Sequence, residues 1–483
     1  MPTLLFVRTA LVIAALSVGG AVWYDMRNLF VRAVVALVEL GATALVVRWV
    51  LSRPRLARQT ARPKSPQIWA PVLAALAVRL VWVNWAQVEP ISDFKEYCDL
   101  GTHLAATGVY GLAGPSAYRP AALPGILAVF SQLGWPLAWA AGVLNAVLAA
   151  ATVPAVFFLA KRLSANEANP GPIANDSVTA TRSASDDDTA AELAAWAWAL
   201  WPSQVLGTAL VATEPLFTAC LIWSVVLTIC ALRGLSPRVW LGWAVAAGVM
   251  FGLAAHIRSH ALPVPLLWAL LVVLHGRAGW RNVPRLAVVC AVTLLAMLPW
   301  GIRNQQQLGR FLITSTSSGV TMAYGNHKAA TGRYDGDLPF AVPGTTEIEQ
   351  FDSANTMAKA WITAHPLEFL SLIPHKWIAL LATETDEASY ALRDPDFVPV
   401  QAGMMVLCHL AWMAAKALAL GSVWRRRASP EPDALTGCAA VLWTWLTIHA
   451  LFHGQFRYHA PLLPVVLVLA AVAFRRPQAS PPS

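Results

Sequence analysis

Long apolar runs alternate with short polar clusters along this chain. Apolar stretches occupy 4–24, 29–51, 68–88, 137–160, 191–210, 214–232, 239–256, 261–275, 286–302, 400–424, 434–452 and 459–474. Most approach the roughly 20 residues that a helix needs to cross a bilayer. The pattern therefore predicts an all-α polytopic protein with about twelve transmembrane helices and both chain ends on one side. The first run has no small-residue cleavage site before Asp25 and reads as a retained helix, joined to the second across a polar turn at Asp25 to Asn28. The run at 121–135 is too short to span and is expected to dip into one leaflet. Arg79 stands inside the third run, where a charge needs a partner or a watery cavity.

The polar clusters are of two kinds. Basic ones follow alternate runs: Arg53, Arg55, Arg58, Arg62 and Lys64, then Lys161 and Arg162, Arg233 and Arg238, Arg277, Arg281 and Arg285, Arg425 to Arg427, and Arg475 with Arg476. Lys and Arg mark cytoplasmic loops, which places the two long polar segments, 89–120 and roughly 303–398, outside. The stretch 163–190, rich in Ser, Asn and Thr with Asp186 to Asp188, reads as a disordered inner insert. In the second outer segment, 325–337 is turn-rich and 352–383 is helical in pattern. The chain thus divides into an N-terminal hairpin (1–51), a membrane core (68–302) with its first outer loop (89–120), an outer region (303–398) and C-terminal helices (399–476).

Composition narrows the class. Of 483 residues, 57% are hydrophobic and 13% charged, against about 25% charged in soluble domains. The net charge of +9 sits in inner loops, which argues against nucleic acid as a partner. Five of six cysteines lie in apolar runs, without CxxC or Cys/His metal spacing. No Walker A or GxGxxG sequence occurs on the inner side, so no direct nucleotide-sugar or ATP chemistry is expected.

Candidate chemistry centres on 89–120. Its first eleven positions hold Glu89, Asp93, Lys95, Glu96 and Asp99, and it closes with Arg119-Pro120. On a helix, Asp93 shares a face with Glu96 and Tyr97, while Phe94, Leu100 and Leu104 suit a helix lying flat on the membrane surface. Further outward-facing polar residues are Glu214, at a helix start marked by Pro215, His256 and Arg258, Arg303 and Asn304, and His453, Gln455, Arg457, Tyr458 and His459. Carboxylates with guanidiniums suit a reaction on an anionic lipid, since Arg binds phosphate in bidentate fashion and a carboxylate takes a proton from an attacking hydroxyl. The structural alternative is that these residues cap helices at the interface. For Asp93, in a loop where packing asks for no acid, the functional reading is preferred. No metal-ligand cluster stands out, and a divalent cation held by Asp93, Glu214 and a histidine stays open.

The ordered motifs SDFKEY (92–97), YRPAALPG (118–125), ATEPLF (212–217), PWGIRNQQQLGRFLITSTSSGVTMAYGNHKAATGRY (299–334) and GQFRYHAPLLP (454–464) resemble the GT-C glycosyltransferases of family 39 type, the class of the protein O-mannosyltransferases and the lipid A aminoarabinose transferase. The resemblance covers roughly 68–475 and leaves the first hairpin outside. It implies a GT-C-like helical bundle, with outer juxtamembrane helices, that takes a sugar from a polyprenyl-phosphate donor. The sugar would pass, with inversion in a single displacement, to a glycan, lipid or protein acceptor on the periplasmic or exterior face of the plasma membrane. By the same resemblance Asp93 is the base, with Glu96 and Asp99 as rival carboxylates, and Glu214 is a second catalytic acid. Arg119 and Arg457 stand near the lipid phosphate, and Tyr97, Tyr458, Arg258 and His256 are further substrate-binding candidates. No soluble domain is expected after Arg476, so acceptor choice falls to the core and to 303–398. Two other classes stay open: a transporter or flippase of lipid-linked saccharides, and a non-catalytic partner in an envelope-assembly complex.

Overall fold

The computed structural model describes residues 2–17, 29–52, 67–164, 177–274, 277–334, 336, 338–425 and 432–474. The polar turn expected at Asp25 to Asn28 and most of the first basic loop lie outside these residues. The chain runs through α1 (Pro2–Leu16), α2 (Leu29–Ser52), α3 (Trp69–Ala86), α4 (Ser92–Thr107), α5 (Ala122–Gln132), α6 (Leu137–Ser164) and α7 (Ser177–Ala199). It continues through α8 (Pro202–Leu206), α9 (Thr213–Arg233), α10 (Pro237–Ile257), α11 (Pro263–Val273) and α12 (Val283–Leu308). The remaining helices are α13 (Ser317–Gly325), α14 (Glu347–Ala364), α15 (Pro366–Leu381), α16 (Asp386–Ala391), α17 (Val398–Arg425), α18 (Pro432–Leu451) and α19 (Leu463–Ala471).

Among the described residues, nine helices are long and apolar enough to cross a membrane. Three more apolar helices, Thr3–Leu16, Ala122–Gln132 and Ser259–Val273, are shorter. Among the described residues the nine long and three shorter apolar helices fit the expected bundle of about twelve, although not at every expected place. The run at 191–210 is the clearest correction: Pro202, which has no N–H to give, ends α7, and the chain turns back through α8 and a 3-10 turn at Gly207–Ala209. The stretch 163–190 is corrected too. From Ser177 onward it is the first half of α7, and Asp188 pairs with Lys161 on α6 at 2.6 Å. The expected helix at 352–383 is two helices, broken at His365-Pro366.

Burial sorts the helices. The spans from α9, α18 and the segment containing α19 bury about four-fifths of their residues, whereas α2, α3 and α12 bury under a third. The outer helices expose Leu37, Leu45, Val81, Trp85, Leu294 and Leu295, the apolar surface that a lipid environment covers. The core between them holds Phe217, Phe251, Trp268, Trp412 and Trp445. α2 lies along α17, where Val50 presses on Gly421 and His409 meets Glu39 at 2.9 Å.

Two buried polar side chains hold the turn after α7. Arg79 on α3 donates to the carbonyls of Ala199 (2.5 Å) and Trp198 (3.3 Å), and Asn145 on α6 donates to those of Thr208 (3.1 Å) and Leu210 (2.9 Å). Arg79 thus finds its partners in the orphan carbonyls at a helix end. We expect Arg79→Ala to cost about 2–4 kcal/mol, because buried acceptors are left unmade. Thermal unfolding in detergent checks this, and an unchanged midpoint would remove Arg79 from the role.

The apolar face of α4 also differs from expectation. Phe94, Tyr97, Leu100 and Gly101 are buried against protein, not laid on lipid. The cause is Gly101: a Cβ there would stand 2.7 Å from Leu127 Cβ, so α5 packs closely over α4.

Candidate functional site

The turn from α3 into α4 carries two non-glycine residues with positive φ, Gln87 (40°) and Ser92 (51°). Such strain persists only where the surroundings hold it, and here it presents Asp93 in the first turn of α4. Asp93 meets Arg457, from the 3-10 segment Phe456–Leu462, in a fork: Oδ2 accepts from Nη2 at 2.6 Å and Oδ1 from Nη1 at 3.4 Å. Arg457 Nε lies 3.7 Å from Glu214 Oε1, at the start of α9. The same oxygen accepts from Arg258 Nη2 at 2.6 Å, and Arg258 Nε donates to Thr213 Oγ1 at 2.9 Å. Acid and base therefore alternate, Asp93–Arg457–Glu214–Arg258, with Asp93 13% and Glu214 8% exposed. Tyr458 lies beneath both guanidiniums, 5.1 Å from that of Arg258 and 5.7 Å from that of Arg457. Burial pushes the Asp93 carboxyl up, but the charge and hydrogen bonds of Arg457, with Arg119 and Arg258 behind, hold it below the ordinary carboxylate range. It is ionised at neutral pH.

A second pair lies beside the chain. Arg119 donates to Glu96 Oε2 through Nη2 (2.6 Å) and Nε (2.9 Å), and it packs over Tyr97 and Tyr118. Tyr97 is buried, and burial pushes its hydroxyl up to about 12. Each arginine that the sequence places near a phosphate is thus already matched by a carboxylate.

The loop bearing Arg119 is clamped from 303–398. Glu347 accepts from Ser116 Oγ (2.6 Å), the Ala117 amide (2.8 Å) and Thr316 Oγ1 (2.6 Å), while Arg303 donates to the carbonyls of Ser116 (2.7 Å) and Tyr110 (3.1 Å). Glu347→Ala leaves the loop free to open. We expect its local opening energy to fall by about 3 kcal/mol, or about a hundredfold in hydrogen-exchange protection at Ala117. Unchanged exchange there would show that the clamp does not hold the loop.

Asp93's partner and Glu214 border a cleft of about 370 Å³, counting its open mouth. Phe94 and Tyr390 form one wall in edge contact, with centroids 5.4 Å apart. Gln204 and Gly207, from the turn after α7, and Asp386 and Glu387, from α16, complete it. Sequence reasoning missed these four. Asp386 and Glu387 carry the same signal as Asp93, acids directly after an apolar helix, but sit at the far end of a long polar segment. His256 is elsewhere. Its Nε2 bonds the Ala296 carbonyl at 2.9 Å, and it borders a separate hollow of about 250 Å³ with Pro120 and Ser259. Among the described residues no three His, Cys, Asp or Glu side chains converge to hold a metal ion. Arg457 stands between Asp93 and Glu214, where the sequence leaves a cation open.

No family model and no curated protein matches the chain. Solved structures do. The Archaeoglobus fulgidus oligosaccharyltransferase in its apo form is 14% identical over 85% of this chain and 50% of its own, with a TM-score of 0.49. The same enzyme with Zn and sulfate is 17% identical over 84% and 48%, at 0.47. ArnT from Cupriavidus metallidurans bound to undecaprenyl phosphate is 14% identical over 85% of this chain and 78% of its own, at 0.41. The chain spans about half the length of the archaeal enzyme, and all three scores lie below 0.5.

Proposed function

We propose that this chain is a membrane glycosyltransferase of GT-C type that moves a sugar from a polyprenyl-phosphate donor to an acceptor hydroxyl or amine. The observation that carries the reading is the buried alternation of Asp93, Arg457, Glu214 and Arg258 beside a cleft at one end of an apolar bundle. Asp93 takes the proton of the acceptor as its oxygen or nitrogen bonds the anomeric carbon. The bond from that carbon to the phosphate oxygen breaks, and its electron pair leaves with the lipid phosphate. A single displacement inverts the anomeric carbon. Arg119, whose pair with Glu96 is more exposed than the buried pairs, is placed to exchange that carboxylate for the phosphate. Arg457 orients Asp93, and Glu214 holds Arg457 and Arg258 in register.

The site lies at the start of α9, whereas Arg233 marks that helix's other end, as Lys161 and Arg162 mark the end of α6. By the bias of Lys and Arg toward cytoplasmic loops, the site faces the exterior of a plasma membrane. Catalysis resides in the core from 68 onward, with α1 and α2 as an addition docked on α18 and α17.

The test is release of free polyprenyl phosphate from purified protein in nanodiscs, given a panel of radiolabelled polyprenyl-phosphate hexoses and pentoses. Sugar-dependent release is expected. Lipid binding without release from any donor would overturn the transferase reading in favour of a flippase.

A further inference from the structure

Two glutamates at the start of α16, Glu384 just before it and Glu387 in its first turn, are treated very differently. Glu384, fully buried, accepts from Trp201 Nε1 (3.0 Å to each oxygen) and Ser203 Oγ (2.6 Å). Glu387 is 8% exposed and lines the cleft, yet its Oε2 is buried with no hydrogen-bond partner. Buried polar atoms are nearly always bonded, so an orphan oxygen on a residue that lines a cleft is one that a ligand hydroxyl can satisfy when the carboxyl turns toward the cleft. Gly207 lets the turn after α7 pack closely on this side chain: a Cβ there would come within 3.1 Å of Glu387 Cγ. Its surroundings combine an amide (Gln204), a second carboxyl (Asp386) and the aromatic wall of Phe94 and Tyr390. Ring hydroxyls bind the first two kinds of group and the C–H face of a sugar packs on the third.

We propose that Glu387 is a sugar-recognition residue, its unpartnered carboxyl oxygen hydrogen-bonding one ring hydroxyl of the donor sugar or of a glycan acceptor. The inference rests on the transferase reading above and extends it to the sugar's own contacts. Burial, then the neighbouring charges of Glu384 and Asp386, push the Glu387 carboxyl well above the ordinary range. In its protonated form the carboxyl donates as well as accepts.

The experiment compares wild type, Glu387→Leu and Glu387→Gln in nanodiscs, measuring binding of polyprenyl-phosphate sugar and of bare polyprenyl phosphate, with KM, kcat and Tm. Leu should raise Kd for the sugar-loaded lipid about tenfold, or 1.4 kcal/mol, and leave bare-lipid binding and kcat within about twofold. Its Tm should hold or rise, since an unpaired buried oxygen is removed. Gln, which keeps shape and a donor, should stay within about threefold of wild type. A rise confined to the acceptor's KM assigns the hydroxyl to the acceptor and still supports the contact. Equal weakening toward both lipids with a lower Tm, or no change with either lipid or the acceptor, overturns it. Normal wild-type transfer beside an indifferent Leu variant sinks this inference alone. A wild type that binds both lipids equally and releases nothing sinks the transferase reading too.

Discussion

Asp93→Asn is expected to lower release of polyprenyl phosphate about a thousandfold, in the range ascribed to a positioned general base, with the fold intact. The amide has the shape of the carboxylate and can still accept from Arg457 Nη2, now 2.6 Å from Oδ2. It cannot take up the acceptor's proton. Glu96 does not substitute, because Arg119 holds it through two hydrogen bonds. The measurement is release rate beside thermal unfolding on the same preparation. Transfer within tenfold of wild type would remove Asp93 from the role. The carboxyl's stability contribution has a definite sign. Its folded pKa lies below that of an ordinary aspartate, so the contribution is present above the ordinary value and fades as pH falls through the lower folded pKa.

Arg457→Gln should have the second largest effect, on stability and rate together. Arg457 stands between Asp93 at 2.6 Å and Glu214 at 3.7 Å. Removing one member of a buried pair leaves uncompensated charge and costs about 3–5 kcal/mol. Loss of the group that orients the base should lower transfer by about a hundredfold or more. The pH profile adds a signature that misfolding cannot mimic. Arg457 is the foremost charge holding Asp93 ionised. Without it the carboxyl pKa rises, and because the base acts only when ionised, the acidic limb of the rate profile moves to higher pH. Arg457→Lys keeps the charge and loses the fork. It should fold better than the Gln variant, leave the limb near its wild-type position and still transfer slowly. A limb unmoved in Arg457→Gln would show that the pair does not set the ionisation of Asp93.

Much of this was legible along the chain because helices and helix ends write local signals. The apolar runs predict the long helices, and Glu214-Pro215 marks the start of α9, where it is found. The i, i+3 and i, i+4 spacings put Asp93, Glu96 and Tyr97 on a helix, as the structure has them, although Asp93 meets Arg457 while Glu96 and Tyr97 both meet Arg119. Less legible was anything that depends on which segment meets which. The run at 191–210 is apolar throughout, and only Pro202 hints that it turns. Glu387 looks like any exposed acid in a polar segment until α16 packs beside Gly207.

By itself the sequence determined the class of protein, most of the long helices, and the residue types available at one end of the bundle. Burial of apolar side chains and the backbone's need for internal hydrogen bonds act over neighbouring residues, and so they leave a periodic trace. Tertiary structure alone decided the pairings: Asp93 with Arg457 across 364 residues, Glu96 with Arg119, His256 turned to a backbone carbonyl, and Glu387 left with an unbonded oxygen. Charge pairing and desolvation depend on distance in space and not on separation along the chain.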